Sequence, residues 1–418
     1  MRFSLKLTLV GLAWISPLRA DAAFTLDQIF EQAIKKSETL GLGQLEIERQ
    51  QAASSEIETR KNPRVRMSGE FDRVYSKLGD QNVLGQWQPR LLTEIRQPLY
   101  EGGSIKAQMN SLEQSTAAAR WDLQGLKEDL YRQMGQLFYQ IISAEQDLIN
   151  LRESERIYRG RVKTLESRAR IGKSRSAEVL SARTQMDAIS AQIKASASQR
   201  DIAQRRLAYL AGTSAPLELS DRLSLSESSI PNNNQKPIAS VQAAQARIAL
   251  ADSLIEEKRS AARPRVDLIA QHNWRYPFPD DQQFNSLSFG VGLTWTLYDA
   301  GETDAAIRTA VIDKTKASLT ETLQTRESKL ALDQAQQAYQ DGLEQIRLYD
   351  KALEAAEKNV RIQQQEFENG LLTNLEVMQA LDTRLQIKRN RDRALYQAKL
   401  AKVEALLLTQ GLPQASTP

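Results

Sequence analysis

The five residues at positions 99–103, Leu-Tyr-Glu-Gly-Gly, recur 198 positions later as Leu-Tyr-Asp-Ala-Gly at 297–301. A second pair of landmarks keeps this separation, because Gly-Lys-Ser-Arg-Ser-Ala-Glu-Val at 172–179 is matched by Gly-Leu-Leu-Thr-Asn-Leu-Glu-Val at 370–377. Two further pairs lie 201 and 199 positions apart, namely 63–65 with 264–266 and 207–212 with 406–411. Four landmarks that occur twice in the same order predict an internal duplication. Insertions in loops explain why their separation varies from 198 to 201.

The duplication predicts two halves with one internal plan. Each half is expected to contain a helix, two strands, a very long helix, a tip turn at Gly172 or Gly370, and a return helix. The predicted first repeat covers 23–213, a Ser-, Pro- and Asn-rich linker covers 214–236, the second repeat covers 237–412, and a tail covers 413–418. The strands are predicted at about 64–75 and 87–100, and at about 265–276 and 286–298.

The last predicted strand, Ser286 to Tyr298, alternates between polar and apolar residues without a break. Period-two alternation is typical of a strand with one apolar face. Strands of about 10–13 residues with aromatic residues near their ends are typical of strands that cross a membrane at a tilt. The side chains predicted to face lipid are Phe289, Val291, Leu293 and Trp295.

The number of strands predicts how many chains assemble. Four strands per chain are too few to close a barrel. Eight strands from two chains would enclose only side chains, whereas twelve strands from three chains would enclose water. We therefore expect a homotrimer with a twelve-stranded transmembrane β-barrel, surrounded by outer-membrane lipid.

The segments 104–170 and 302–368 are predicted to be long helices, because Gly is rare in them and Pro is absent. Each would be about 100 Å long at 1.5 Å per residue. Tyr339, Ile346, Leu353, Val360 and Phe367 repeat every seven residues, which predicts coiled-coil contact between paired helices. The fold class is therefore mixed: long antiparallel helical hairpins in coiled-coil contact, with four amphipathic strands per chain that contribute to the β-barrel. An ordinary coiled-coil rod would explain the helices but not the strands.

The composition excludes several classes of site. The 418 residues include no Cys and a single His, so thiolate nucleophiles, Cys-ligated zinc, iron–sulfur clusters and His-rich metal sites are excluded. No nucleophile elbow or Gly-rich phosphate loop is present either, and we expect no enzyme activity, no cofactor and no metal site. The net charge is only +4, with basic and acidic residues interleaved, so we expect no binding of nucleic acid.

Residues 1–22 have the pattern of a secretory signal peptide. Arg2 and Lys6 precede a short apolar core, and Ala20-Asp21-Ala22 predicts cleavage before Ala23. The apolar core is too short to serve as a membrane anchor. The mature protein is therefore expected to be exported from the cytoplasm.

In its doubled plan, the chain resembles the TolC family of outer-membrane efflux and secretion channels. The segment 97–103 looks like the strand-to-helix junction of that family, and 370–377 looks like its helix-turn-helix tip. The resemblance implies a homotrimer in the outer membrane, in which the helical hairpins form an α-barrel that serves as a tunnel across the periplasm. It also implies docking on a periplasmic adaptor protein and an inner-membrane transporter, in a tripartite efflux or type I secretion system.

The resemblance also implies a set of site residues. Acidic residues just inside the tip line the constricted entrance in this family, which places Glu376 there, with Glu178 at the matching position of the first repeat and Gln379 where a second acid can occur. Leu372 occupies the position of a basic latch residue, and Phe367 replaces a tyrosine that can bond across helices. The sequence therefore does not identify the bonds that would close the entrance. The adaptor contacts are expected at Gly172, Gly370, Leu371 and Leu372, and the strand-to-helix junctions at Pro98, Gly102, Gly103 and Gly301.

Two alternatives stay open at this stage. Glu376 could be an ordinary solvent-facing helix residue, and the chain could be a periplasmic coiled-coil adaptor or scaffold without a pore. The adaptor hypothesis predicts a protein that is soluble without detergent. The sequence does not identify the transported substrate, because a wide water-filled tunnel selects weakly.

Overall fold

The computed structural model describes residues 23–78, 81–214, 216–225, 237–276 and 283–413. The predicted signal peptide, residues 226–236 of the predicted linker and residues 414–418 of the predicted tail lie outside the described residues.

Helices account for most of the described residues. The predicted long helices are confirmed: α3 and α6 each contain 67 residues. The heptad side chains of α6 are buried or half-buried, as expected for packed helices. No helix in the described part of the chain has an apolar stretch long enough to cross a bilayer. The helices are α1 Leu26–Lys36, α2 Glu38–Thr59, α3 Ser104–Arg170, α4 Ser176–Leu210, α5 Ala239–Ser260, α6 Glu302–Glu368 and α7 Asn374–Gln410.

The four strands form one antiparallel sheet in the order β1-β2-β3-β4. Within the sheet, β2 and β3 join the two repeats. The hairpin ladders are regular except for one shift in β1, between Val74 and Ser76. The strands are β1 Arg64–Leu78, β2 Gln81–Glu101, β3 Arg265–Arg275 and β4 Phe284–Thr294.

The strand ends differ from the predicted ones for two physical reasons. The hairpin of β1 and β2 is longer than expected, because its backbone ladder continues through residues 81–86, where the sequence does not alternate between polar and apolar residues. Conversely, β4 ends at Thr294 although its alternation continues to Tyr298. Its partner β3 begins at Arg265, opposite Thr294. Residues 295–298 therefore have no partner strand among the described residues.

The chain divides into two compact units. The helical unit comprises the described residues up to Lys35, Met134–Leu225 and Leu348–Tyr396, and the sheet unit comprises the remainder. The core of the helical unit draws on α3, α4, α6 and α7, so the two helical hairpins share one apolar interior. One cluster of this core includes the fully buried side chains Leu151, Tyr158, Leu165, Ala182, Ile189 and Val377.

The sheet unit contains the sheet together with α2, α5 and parts of three other helices. Two helices approach each other closely at Gly342, where a Cβ atom would lie 2.7 Å from the Cβ of Ala398. Ile269, which breaks the alternation of β3, covers a glycine on the adjacent strand: a Cβ at Gly292 would lie 3.0 Å from Ile269 Cδ1. Glycine thus permits close packing at both places.

Candidate functional site

The two tip turns have the same backbone geometry. At the first tip, Gly172 has φ +74°, Gly172 N donates to Ala169 O at 3.1 Å, and Lys173 N donates to Arg168 O at 2.8 Å. This pair of bonds is the Schellman motif that ends a helix with a left-handed residue. A Cβ at Gly172 would meet nothing within 4 Å, so the backbone conformation alone favours glycine.

The second tip repeats this arrangement at Gly370, where φ is +79°. Gly370 N donates to Phe367 O at 3.1 Å, and Leu371 N donates to Glu366 O at 2.9 Å. The tip turns predicted at Gly172 and Gly370 are therefore present at both positions.

Glu376 caps the return helix that follows the second tip. Its Oε2 atom accepts from Thr373 N at 2.7 Å and from Thr373 Oγ1 at 2.8 Å. Because α7 begins at Asn374, Glu376 is its third residue, and the bond to Thr373 N is half of a capping box. These bonds, that of the Thr373 backbone first, hold the pKa of the Glu376 carboxyl below its usual range. The sequence analysis missed this role, although Thr-x-x-Glu before a helix predicts it.

Glu178 holds the equivalent position at the start of α4, but its contacts differ. Its carboxylate accepts from the hydroxyl of Ser174, and Arg175 at the helix start makes no side-chain capping bond. Glu178 and Glu376 are both half-exposed, and Gln379 is exposed. Both carboxylates lie at helix N-termini, where the helix dipole favours negative charge.

Each tip also presents apolar side chains to the surroundings. Leu371 is 73% exposed and Leu375 is 58% exposed, while Leu372 is half-buried. At the first tip, Ile171 is 65% exposed and Leu180 is 66% exposed. The exposed apolar residues near the turn glycine of each hairpin stand at different positions in the two repeats, but they give both tips a surface suited to contact with another protein.

Phe367, which lacks a hydroxyl, is buried under two guanidinium groups. The Cζ atoms of Arg161 and Arg168 lie 4.2 and 4.7 Å from the centre of its ring. Burial lowers the pKa of the Arg161 guanidinium, with a further contribution from the charge of Arg168. Arg161 Nε donates to Oδ1 of the buried Asn374 at 2.7 Å, so these contacts link α3 to the start of α7.

A tyrosine bond across helices is made from a different position. The buried Tyr158 of α3 donates through its hydroxyl to Asp382 Oδ1 at 2.8 Å and lies 3.2 Å from Met378 O. Gln185 Nε2 donates to the same Asp382 oxygen at 2.9 Å. Burial, followed by the bond to Asp382, raises the pKa of the Tyr158 hydroxyl. No local pattern indicates this contact, since 224 residues separate its partners.

Further polar contacts continue along the line where α3 meets α7. The side chains of Arg389 and Asp147 are both largely buried and form a two-pronged ion pair, with N–O distances of 2.5 and 3.0 Å. Glu153 accepts from Arg384 and Lys388, each at 2.7 Å. Lys388 is the main reason that the pKa of Glu153 is lowered. The pair of Arg389 and Asp147 favours one alignment of α3 and α7, since a shifted helix would leave a largely buried charge unpaired.

The strand-to-helix junctions use left-handed backbone conformations. Gly102 and Gly103 have φ +62° and +86°, and Gly301 has φ +86°. A Cβ at Gly102 would lie 2.7 Å from Ser260 O, and Arg263 Nη1 donates to Gly102 O at 3.2 Å. Pro98 stands beside the shift in register of β2, which lies between Pro98 and Tyr100, and such an inserted residue bends a strand.

The sheet has one apolar and one charged face. Phe289, Val291 and Leu293 are 76%, 66% and 66% exposed, and Trp295 is 55% exposed and donates to Ala262 O at 3.0 Å. The other face carries bonded charges: Arg90 pairs with Asp72 and lies 3.7 Å from Glu70, while Glu94 accepts from Gln271 at 2.8 Å and Arg96 at 3.2 Å. A continuous face of exposed apolar side chains is unusual for a surface in contact with water.

Within the described residues, no group of three or more His, Cys, Asp or Glu side chains is placed to hold a metal ion.

Comparisons with known proteins agree with this fold. The model of the outer membrane efflux protein family matches residues 29–213 and 235–408. Among solved structures, the outer-membrane channel OprN has a TM-score of 0.82 at 18% identity, with 93% of this chain and 90% of that chain covered. VceC from Vibrio cholerae has a TM-score of 0.78 at 15% identity over 92% and 96%, and the CmeC channel from Campylobacter jejuni has 0.80 at 13% over 94% and 87%. No curated protein matches the chain.

Proposed function

The chain belongs to the outer membrane efflux protein family, and we propose that three copies form a passive channel that carries substrates out through the outer membrane. In this proposal the four-stranded sheets of three copies close one twelve-stranded barrel, and the helices form a tunnel on the periplasmic side. The family locates the protein in the bacterial outer membrane.

The observation that carries this proposal is the two-faced sheet. Its apolar side chains are exposed along one face, whereas Arg90, Glu94 and their partners line the other. Lipid outside and water inside would satisfy both faces at once. A sheet in water would leave the apolar face uncovered, since no described element covers Phe289, Val291 or Leu293.

We propose that the tips are the periplasmic entrance and the place where partners dock. Symmetry would bring three copies each of Glu178 and Glu376 around the entrance, with Gln379 nearby. The exposed Leu371, with Leu372 beside it, supports contact with a periplasmic adaptor protein. An inner-membrane transporter behind the adaptor would supply the energy, in a tripartite efflux or type I secretion system.

The experiment that tests the proposal is a mass measurement with and without detergent. The protein, exported and purified in detergent, should have a protein mass of three chains by light scattering, because each sheet needs neighbours to close. Removal of the detergent should precipitate it. A single-chain particle that stays monodisperse without detergent would contradict the channel and favour the adaptor alternative.

A further inference from the structure

The two hairpins of the sheet are structural copies of each other. In the first, Arg64 pairs with Arg96. In the second, Arg265 pairs with Thr294, which is the same pair moved by 201 positions in one strand and 198 in the other. These are the separations of the sequence landmarks, and they hold for the next pair as well, Val65 with Ile95 and Val266 with Leu293.

A side-chain contact follows the same rule. The Gln97 amide donates to Lys61 O beside the first hairpin, and the Trp295 indole donates to Ala262 O beside the second. Trp295 lies 198 positions after Gln97, and Ala262 lies 201 positions after Lys61. The duplication therefore holds at the level of strand register and junction contacts.

The ladder between β2 and β3 gives the register in which one hairpin pairs with the next. Arg96 pairs with Ile269 and Gln97 with Leu268, and after a shift at Leu99 the ladder resumes with Tyr100 opposite Val266. This ladder joins the second strand of one repeat to the first strand of the next. In a ring of identical chains, the next repeat after the second one is the first repeat of the neighbouring copy.

We propose that β4 of one copy pairs with β1 of the neighbouring copy in the register that the duplication carries over from β2 and β3. Each observed pair of β2 and β3 is transferred by adding 198 to the β2 residue and subtracting 201 from the β3 residue. The pairs then place Thr294 opposite Ser68, and Trp295 opposite Met67, of the neighbouring copy. After a bulge at Leu297, Tyr298 would lie opposite Val65. The proposal rests on the trimeric channel proposed above and specifies its interface.

The chemistry of the two edges agrees with this register. Trp295 and Met67, and likewise Val291 and Phe71, would pair on the apolar face, while Thr294 and Ser68 would pair on the polar face. A slip by one residue would place apolar side chains opposite polar ones along the interface. A slip by two residues would keep the faces, so the duplication is what selects among the remaining registers.

The proposal also accounts for the segment after β4. Alternation continues to Tyr298, although the ladder within the chain ends at Thr294. Leu297 and Tyr298 are 79% and 87% exposed. In the proposed register this segment completes its strand against the neighbouring copy, as Pro98 and Tyr100 do against β3 within the chain on either side of the shift at Leu99. The edges differ, so the contact is head-to-tail and closes only as a ring.

Paired cysteines test the register directly, because the chain has no Cys of its own. The variant Thr294→Cys with Ser68→Cys should form covalent dimers and trimers under a mild oxidant, since directly opposite Cα atoms lie within the range that a disulfide bridges. The matched controls Thr294→Cys with Arg66→Cys, and with Glu70→Cys, should cross-link weakly, because diagonal neighbours lie at about 7–8 Å. Within one chain the bond is excluded, since three strand spacings of about 4.8 Å separate the two edges.

A second pair, Val291→Cys with Phe71→Cys, reports the same register from the apolar face if the first variant does not assemble. Non-reducing gels should show most of the protein in the bands of two and three chains for both in-register pairs. Trimers that cross-link only through the Arg66 or the Glu70 control would overturn the register and leave the channel intact. Single chains in detergent with no cross-link in any pair would overturn both.

Discussion

At the scale of a single residue, Glu376 combines an observed role, the cap on the return helix, with the role proposed for it at the entrance. Its bonds to Thr373 fix the start of α7 and favour the ionised form, so its charge persists at neutral pH. A carboxylate held this way at a symmetric entrance would favour cations, because rings of like charge attract the opposite ion at close quarters. Gln379, one helical turn further on, adds no charge.

We expect the Glu376→Gln variant to reduce the preference for cations. The amide oxygen of Gln can still accept from Thr373 N, so the helix start should be retained and circular dichroism should be unchanged. The measurement is the reversal potential in a planar bilayer under a salt gradient. The change should be larger at low salt, where charges are less screened.

The Glu178→Gln variant should act in the same direction but more weakly. If both single variants and the double variant keep the parental reversal potential, these carboxylates do not line the constriction, although the channel itself could still be correct.

Glycine gives a second prediction at this scale, because one substitution should have opposite effects at two positions. Gly172 has φ +74°, so Gly172→Ala should lower the free energy of unfolding by about 1 kcal/mol or more. Gly160 lies within α3, so Gly160→Ala should raise it by up to about 1 kcal/mol. Nothing lies within 4 Å of an added Cβ at either site, so backbone conformation alone decides the sign.

Urea unfolding followed by circular dichroism, at equal protein concentration, measures both glycine variants. A change of the same sign in the two would show that the tip turn does not retain its left-handed residue in the assembled protein.

At the scale of the elements, we propose that the strands separate lipid on one face from water on the other. One face is apolar and the other is charged. Val291 is 66% exposed on the apolar face, while Arg90 and Glu94 and their polar partners lie on the opposite face. The energetic cost of a new charge should therefore depend on the parity of its position.

We expect Val291→Lys to destabilise the assembled protein by about 2–4 kcal/mol, the cost of a lysine that faces lipid near the bilayer centre. The matched control is Ser288→Lys, three residues earlier and on the other face, which should be tolerated because it meets water. The urea midpoint of the trimer in lipid vesicles measures both. Equal tolerance at the two positions would mean that β4 does not face a membrane.

The elements also show what the sequence could predict. The alternation of polar and apolar residues is a local property of the sequence, so it predicted β3 and β4. The absence of Pro predicted α3 and α6. The ladder at residues 81–86 could not be predicted, because the sequence there does not alternate between polar and apolar residues. The bond from Tyr158 to Asp382 could not be read either, since only the packing of α3 against α7 brings these residues together.

The candidate site divides in the same way. The positions of the tip turns followed from Gly172 and Gly370, since a helix end with φ above zero favours glycine. The cap formed by Thr373 and Glu376 had a local signal that the sequence analysis did not use. The stacking of Arg161 and Arg168 on Phe367 had no such signal, because the ring belongs to α6 and the cations to α3.

At the scale of the whole molecule, the chain is incomplete by itself. Among the residues that the structure describes, the sheet ends in two unpaired edges, β1 and β4, and its apolar face is exposed. Exposed edges and apolar faces are liabilities for a protein in water, and closure into a barrel within lipid removes both. Assembly and membrane insertion are therefore expected to be coupled.

Ion conductance across a planar bilayer is the measurement that tests the central claim most directly. Addition of the purified trimer should produce discrete current steps of uniform size, one per inserted trimer. The step conductance should rise with salt concentration, as in a water-filled pore. Protein that co-purifies with the lipid but gives no steps above the bare bilayer, over a range of voltages and salt concentrations, would contradict the channel.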